Sequence, residues 1–487
     1  MRRSGSGRGA ARWDAVVVGS GPNGLTAATK LARAGRSVLV IEADDTVGGG
    51  MRSADIFGAG TVHDVCSAVH PLGRVSPAFA EFDLAAHGLR WVTPEVSLAH
   101  VFDAQRAVAV YRELAATTAG LGGDGRAWRR LVGVDSSTLP MLIDSVLRPL
   151  GIPRHPMVMA RFGLKALRSV DGFTGAFDDE GTRTLFAGVA AHAIRPLSAA
   201  ASTGPGLLLL APASVTGWPI AEGGSQAIAD ALVSCLREAG GQVQTGWRVR
   251  SFDELPVARQ YYFDTSTSDA AAILGDRLPR RMRRRYERWR FGPGVCKVDF
   301  VLSEPIPWRS ALPTRTATVH VAEGYRQIAD VEAAVARGEH PERPWLLAGE
   351  PTRIDPSRAG GTGRHIAWAY CHVPNGSTRD MGAAMTAEIE RCAPGFRDVI
   401  VESKVVTAAE LGEHEPNFVG GDIGSGAASL WQVLARPRLS ANLVNPNPYA
   451  TGVPGVPGVY LCSSATAPGG GVHGMSGYRA AEFGLSA

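Results

Sequence analysis

Apolar and polar positions change period several times along the first fifty residues. Ala15–Val18 is wholly apolar and predicts a strand buried on both faces. Gly19 to Gly24 interrupts it. Leu25, Ala28 and Leu31 then recur at helical spacing up to Gly35, which predicts an amphipathic helix. Val38–Ile41 is wholly apolar again and closes on Glu42. Strand, glycine turn, helix and strand in that order predict a βαβ unit and a parallel sheet. The pattern returns twice. Gly223–Ser225 leads into a helix over Gln226–Ala239, Gly240-Gly241, strands around Gln242–Ser251 and a strand-like aromatic run, Tyr261–Ser266. Near the end, Gly458–Ser463 reads as an apolar strand followed by a glycine-rich loop and a last helix.

Two other stretches lie between these returns. Residues 100–210 are helical in pattern, with Pro140, Pro149, Pro153 and Pro156 as breakers. Residues 291–420 mix strands, at Val295–Leu302 and Ile366–Tyr370, with helices. The predicted fold class is therefore α/β, or α+β overall. A Rossmann-type domain is assembled from 13–100, 211–280 and 430–487. A mixed sheet-and-helix substrate domain takes 101–210, as a helical insert, and 281–429. Residues 1–12 are expected to be a disordered tail.

The glycine turn supplies the first chemistry. Gly19, Gly21 and Gly24 form GxGxxG, with Pro22 and Asn23 inside it. In a βαβ unit Gly19 permits the tight turn, Gly21 lets backbone approach a pyrophosphate, and Gly24 lets helix and strand pack closely. The helix N-terminus offers unpaired N–H groups to phosphate. Glu42, at the end of the second strand, is placed to accept from ribose hydroxyls. The ligand class is an adenine dinucleotide. Gly48, Gly49 and Gly50, followed by Met51, Arg52 and Ser53, form a second glycine stretch beyond the pyrophosphate. Ser463, Ser464 and Gly469 to Gly477, with Val472 and His473 inside, form a third at the other end of the chain. Close-approach loops at both ends suit a long ligand.

Composition narrows the class. The 487 residues suffice for two or three domains. A net charge of +4 is small for this length and gives no reason to expect nucleic acid. Six scattered cysteines without a CxxC pair predict no zinc site and no dithiol centre, and no metal is expected. No signal-like or membrane-spanning run is present, so a cytoplasmic protein is expected, at most peripheral to a membrane. The run Arg280 to Arg290 is basic with aromatics interleaved. It reads either as a solvated helix face or as contact with anionic lipid.

The motifs VVVGSGPNGLTAA, VLVIEADDTVGGGMRS, DVCSAVHPLG, GWPIAEGGSQAIADAL, GPGVCKVDF, AWAYCHVPNG, PNFVGGDI and LCSSATAPGGGVHGMSGYRAAE cover nearly the whole chain. By them the chain resembles the FAD-dependent amine oxidase and phytoene desaturase superfamily. It is most similar to the bacterial phytoene desaturase-related branch and to pyridine nucleotide-disulfide oxidoreductase domain 2 proteins. The resemblance implies FAD, with Gly19, Gly21, Pro22, Asn23, Gly24, Glu42 and Ala43 on its ADP half. It implies that Gly48, Gly49, Gly50, Arg52 and Ser53 line its middle, and that Val249 meets the adenine. Ser463 and Ser464 fall at the ribityl chain, and Gly471, Val472 and His473 at the isoalloxazine. Ser464 departs from the acid or polar residue usual there.

Three residues are candidates for catalysis. Lys297 stands in an apolar strand of a chain with only four lysines. It resembles the lysine that holds a water at flavin N5, and the alternative is a lysine reaching out from a sheet edge. His473 is read as a donor to ring or substrate, or as a helix-start residue; His70 as a wall of the substrate cavity. His372 and Asn375 read mainly as a turn, and Asp422 as a cap. The expected activity is hydride transfer from a C–H or C–N bond of a lipophilic small molecule to the flavin, with reoxidation by oxygen or quinone. The alternatives are a flavin-dependent isomerase, an amine oxidase, and a non-catalytic lipid- or prenyl-binding module.

Overall fold

The computed structural model describes residues 13–148, 153–429, 432, 436 and 452–487. The tail expected at 1–12 and most of 430–451 lie outside them. Two sheets organise the chain. The smaller has five parallel strands in the order Val459–Leu461, Ala258–Phe263, Trp13–Val18, Val38–Ile41 and Gln242–Gln244. It is the doubly wound sheet that the periodicity predicts, built from three separated segments. Its central strand is fully buried from Ala15 to Val18. That explains why the strand reads as a continuous apolar run rather than an alternating one.

The helix Pro22–Arg33 begins with proline at its first position, where no N–H is needed, and ends on Lys30 and Arg33 at the negative end of its dipole. Its alanine face packs on the sheet through Ala27, Ala28 and Ala32. Its other side carries the last helix, Met475–Ser486. A Cβ at Gly477 would lie 1.8 Å from the carbonyl oxygen of Asn23. Glycine there lets the two helices touch, bringing the third glycine loop against the first.

The larger sheet has seven strands: Ile400–Val406, Gly294–Leu302, His365–Val373, Leu346–Gly349, Val319–Val321, Val96–Val101 and Ala107–Tyr111, in that order. All its pairs are antiparallel except Val319–Val321 with Val96–Val101. Val96–Val101 therefore belongs to this sheet and runs across the boundary expected at 100. Ala107–Tyr111 is also strand, so helix begins only at Leu114. Pro140 sits in the first turn of the helix Thr138–Val146 and does not break it.

Registry sets one row of side chains across a single face of the larger sheet. His100 faces His320, His320 faces Leu347, Leu347 faces Tyr370, and Tyr370 faces Lys297. The helical insert covers this face. Trp128, Phe173, Phe177, Phe186 and Trp218 pack with Trp345, Leu347 and Trp368 in one core. The basic run forms the helix Arg280–Glu287, with Met282, Tyr286 and Trp289 buried. Its apolar positions point into the nucleotide domain, which leaves arginines outside. Among the described residues, no helix is long and apolar enough to cross a membrane.

Candidate functional site

One cavity of about 720 Å³ runs from the glycine turn to the covered face of the larger sheet. Gly19, Gly21, Pro22, Asn23, Glu42 and Ala43 line it at the C-terminal edge of the parallel sheet. That is where an open α/β sheet binds its ligand. Val249 lines it too, beside Trp247. Gly49, Gly50, Ser463, Ser464, Gly471 and Val472 continue the wall. The loops from the two chain ends thus meet around a single channel.

The glycine turn is shaped by a residue that the sequence reading missed. Asp264 ends the strand Ala258–Phe263, and its Oδ2 accepts from the Gly24 N–H at 2.7 Å. A Cβ at Gly21 would lie 2.7 Å from that same Oδ2. At Gly24 it would lie 2.2 Å from the Gly19 carbonyl oxygen. Gly21 and Gly24 are thus needed because a carboxylate and a carbonyl fill the space on the sheet side. Gly21 has no side chain to cap the helix and Pro22 has no N–H; Asp264 takes the Gly24 N–H from the sheet side, and Gly21, Pro22 and Asn23 face the cavity. Glu42 accepts from the Ser20 N–H at 2.8 Å and from the Asp44 N–H at 2.9 Å, which fixes its carboxylate in the wall.

Other predicted residues stand behind the wall. Gly24, Gly48, Arg52, Ser53 and His473 are not among the lining residues. Arg52 is held between Asp44 and Glu415 and braces the loop rather than facing the channel. Ser53 Oγ donates to Asp64 at 2.7 Å and accepts from the Gln226 N–H at 3.1 Å. His473 Nδ1 accepts from the Met475 N–H at 3.0 Å, so it caps the last helix. Burial lowers its imidazole to about 4.

The three candidate catalytic residues also separate. Lys297 is buried at the end of the side-chain row. Its Nζ pairs with Asp299 and donates to the Asp64 carbonyl at 3.1 Å, outside the cavity wall. His70 lines the cavity, with Nε2 2.8 Å from Ser225 Oγ and Nδ1 without a partner. Burial lowers His70 to about 4, so it is neutral. His372 is not in a turn but in the strand His365–Val373, with Nδ1 2.5 Å from Glu332. Asn375 holds the following turn by donating to Gly292 and Val419 carbonyls. Asp422 lines the cavity and accepts three backbone N–H groups, from Gly292, Gly424 and Gly426, so it holds its own turn rather than the final segment.

The far end of the cavity is apolar and aromatic. Leu209 and Trp218 come from the insert side, and Leu347, Trp368 and Tyr370 from the larger sheet. The Trp368 and Tyr370 rings stack with centroids 6.1 Å apart. His192 and Thr318 also line this end. None of these residues stood out in the sequence, because the segments that join here lie far apart along the chain.

Comparison with known proteins agrees with this architecture. The NAD(P)-binding Rossmann-like domain matches residues 17–82. The chain is 24% identical to pyridine nucleotide-disulfide oxidoreductase domain-containing protein 2 of Rattus norvegicus, over 97% of this chain and 93% of that protein. An oxidoreductase from Methanosarcina mazei superposes with a TM-score of 0.62 at 14% identity, covering 97% of this chain and 100% of that one. Cyclohexylamine oxidase from Brevibacterium oxydans gives 0.58 at 13%, covering 98% of each chain. Putrescine oxidase with putrescine bound gives 0.57 at 18%, covering 98% and 100%. The resemblance read from the sequence motifs is thus borne out: the chain has the fold of these oxidases along nearly its whole length.

Proposed function

We propose that this chain is an FAD-dependent oxidoreductase that takes hydride from a C–H or C–N bond of a lipophilic small molecule. The observation that carries the reading is the single cavity joining a glycine-lined channel at a helix N-terminus to an apolar chamber. The residues present fit FAD. Gly19 and Gly21 present backbone to a diphosphate, Glu42 presents a carboxylate to a ribose, and Val249 with Trp247 forms the outer end. Ser464 and Gly471 with Val472 line the inner end. When bound, FAD supplies a hydride acceptor at N5, regenerated by oxygen or a quinone. The chain's own part is to hold the substrate against that position and exclude water, which the aromatic walls do.

The test begins with the absorption spectrum of the purified protein. Flavin bands, released as free FAD on heating, are the expected result. A colourless protein that takes up no added FAD overturns the proposal. Glu42→Ala is expected to weaken FAD retention about a hundredfold, through the loss of charged hydrogen bonds and of the anchor on Ser20. Equal retention in both proteins removes Glu42 from the ribose.

Under this proposal, peripheral membrane contact runs through the helix Pro156–Ala166 rather than through the run at 280–290. Met157, Leu164 and the adjacent Leu167 are 60–75% exposed, with Arg161 and Arg168 beside them. The helix packs on Thr203–Ala213, whose Pro205 and Leu209 line the cavity. Exposed apolar side chains flanked by arginines suit an anionic bilayer. The wild type is expected to float with vesicles containing phosphatidylserine, and Met157→Ser/Leu164→Ser to stay behind. Equal flotation refutes the assignment.

A further inference from the structure

We propose that the apolar chamber takes a neutral molecule with a single oxygen-bearing head group, and that His192, backed by His320, is the residue that bonds that head. The proposal rests on the chamber being the substrate end of the flavoprotein proposed above.

Charge limits the occupant first. Neither wall of the chamber, the insert side from His192 to Trp218 or the larger sheet from Thr318 to Tyr370, contributes an Asp, Glu, Lys or Arg to the cavity lining among the described residues. An alkylammonium seated between these walls would lose its water and meet no carboxylate on either, and Glu415 and Asp422, which line the same cavity, are already engaged by Arg52 and by three backbone N–H groups, so binding there is unfavourable. This separates the chamber from what a diamine would need, although the fold is shared with putrescine oxidase.

The chamber is nevertheless not hydrocarbon throughout. Thr318 Oγ1 is buried in its wall without a partner. His192 Nε2 lies 3.1 Å from His320 Nε2, and no described residue bonds its Nδ1. One proton serves the Nε2–Nε2 contact, so the two imidazoles have opposite tautomers at that edge. If His192 gives that proton, its Nδ1 accepts from a hydroxyl. If His320 gives it, Nδ1–H donates to a carbonyl. The same pair therefore suits an alcohol or the ketone made from it.

The pair is also rigid and neutral. The Trp218 ring meets His192 edge-on, with centroids 5.8 Å apart, and Trp345 meets His320 in the same way at 5.8 Å. Thr318 and His320 are two residues apart on an extended segment, so they share the covered face of the sheet. Burial lowers His192 to about 3, with His372 adding repulsion, and burial with His192 and His100 beside it holds His320 well below the usual imidazole range. Both rings are therefore neutral near pH 7, so the head is met by neutral groups.

The test compares matched probes on the FAD-loaded protein: 1-octanol, octylammonium and toluene, read by flavin difference spectra and by the shift in thermal midpoint. Octanol is expected to bind about tenfold more tightly than octylammonium, and His192→Leu to weaken octanol about tenfold while leaving toluene unchanged. The unchanged toluene affinity separates a lost hydrogen bond from a collapsed chamber. Octylammonium binding as well as octanol, octanol binding unaffected by His192→Leu, or no octanol binding at all overturns the proposal. A chain that takes up no FAD fails the flavoprotein reading instead, and the thermal shifts still decide this one.

Discussion

Arg358→Leu is expected to destabilise the protein by about 3–5 kcal/mol, because it strands two buried carboxylates. The Arg358 side chain is wholly buried. Its guanidinium donates to Asp64 Oδ2 at 2.5 Å, to Asp355 Oδ2 at 3.3 Å and to the Ala221 carbonyl at 2.8 Å. Burial alone would raise the Asp64 carboxyl, but Arg358 wins and holds it below the usual carboxylate range. A depressed acid adds stability above its unfolded pKa and loses it as pH falls. Leucine removes the partner, so Asp64 becomes easier to protonate and the deficit narrows as pH falls. Urea denaturation at pH 7.5 and 5 reads both effects. The double variant Arg358→Leu/Asp64→Asn should recover the Asp64 share of the loss while Asp355 stays unpaired, since the cost lies in the unpaired charge rather than in the missing pair. A single-variant loss below about 1 kcal/mol would mean that water already reaches the triad. The same variant bears on the cavity. Asp64 Oδ1 accepts from the Ser225 N–H at 2.7 Å, and Ser225 Oγ bonds His70. Losing Arg358 is therefore expected to loosen the support behind the wall imidazole as well as the core.

The contrast between Glu42 and His192 shows what the sequence could carry. Glu42 was legible because strand, glycine turn, helix and acid fall within one short segment whose periodicities are local. His192 was not, because its partner His320 lies on a strand of the larger sheet, and that pairing is set by the insert folding back. The strand Val96–Val101 straddles the boundary expected at 100 for the same reason: its partner Val319–Val321 is more than two hundred residues away. Lys297 was singled out by rarity, and the sheet does place it in the row beside Tyr370. Rarity says nothing of rotamer, and Asp299, two residues on along the same face, holds the amine. His473 and Arg52 lie in loops that line the cavity, but their side chains are held by Met475 and by Asp44 and Glu415. A glycine loop marks where backbone approaches a ligand without saying which side chains face it. Asp264 left one usable sign, an acid closing an aromatic strand. Its meaning appears only when that strand is seen beside Trp13–Val18, where the carboxylate fills the space beneath the glycine turn.

Asp264 also carries the strongest expected pH effect. Burial pushes its carboxyl up to about 7; the Gly24 N–H opposes the rise and the nearby Glu42 adds to it. An acid raised in the folded state favours folding most when protonated. Its contribution is full below about pH 4 and is lost as pH rises through about 7, amounting to roughly 4 kcal/mol over that window. Glu350, raised to about 7 by its own burial, titrates in the same window, so stability alone does not isolate Asp264. Glu350 is not a cavity-lining residue, whereas Asp264 is. If the channel holds FAD, its diphosphate must share the helix N-terminus with whatever charge Asp264 carries. At an effective dielectric near 20, two like charges several ångströms apart repel by about 2–3 kcal/mol. FAD is therefore expected to dissociate more readily above neutrality, with its Kd rising about tenfold or more between pH 6 and 8.5. Asp264→Asn keeps an oxygen for the Gly24 N–H and removes the titration. It should bind FAD as tightly at pH 8.5 as at pH 6, read from the fluorescence of released flavin. A flat wild-type profile, or a slope that survives in Asp264→Asn, would place the charge elsewhere. A slope that disappears only in that variant ties cofactor retention to one carboxyl under the glycine turn.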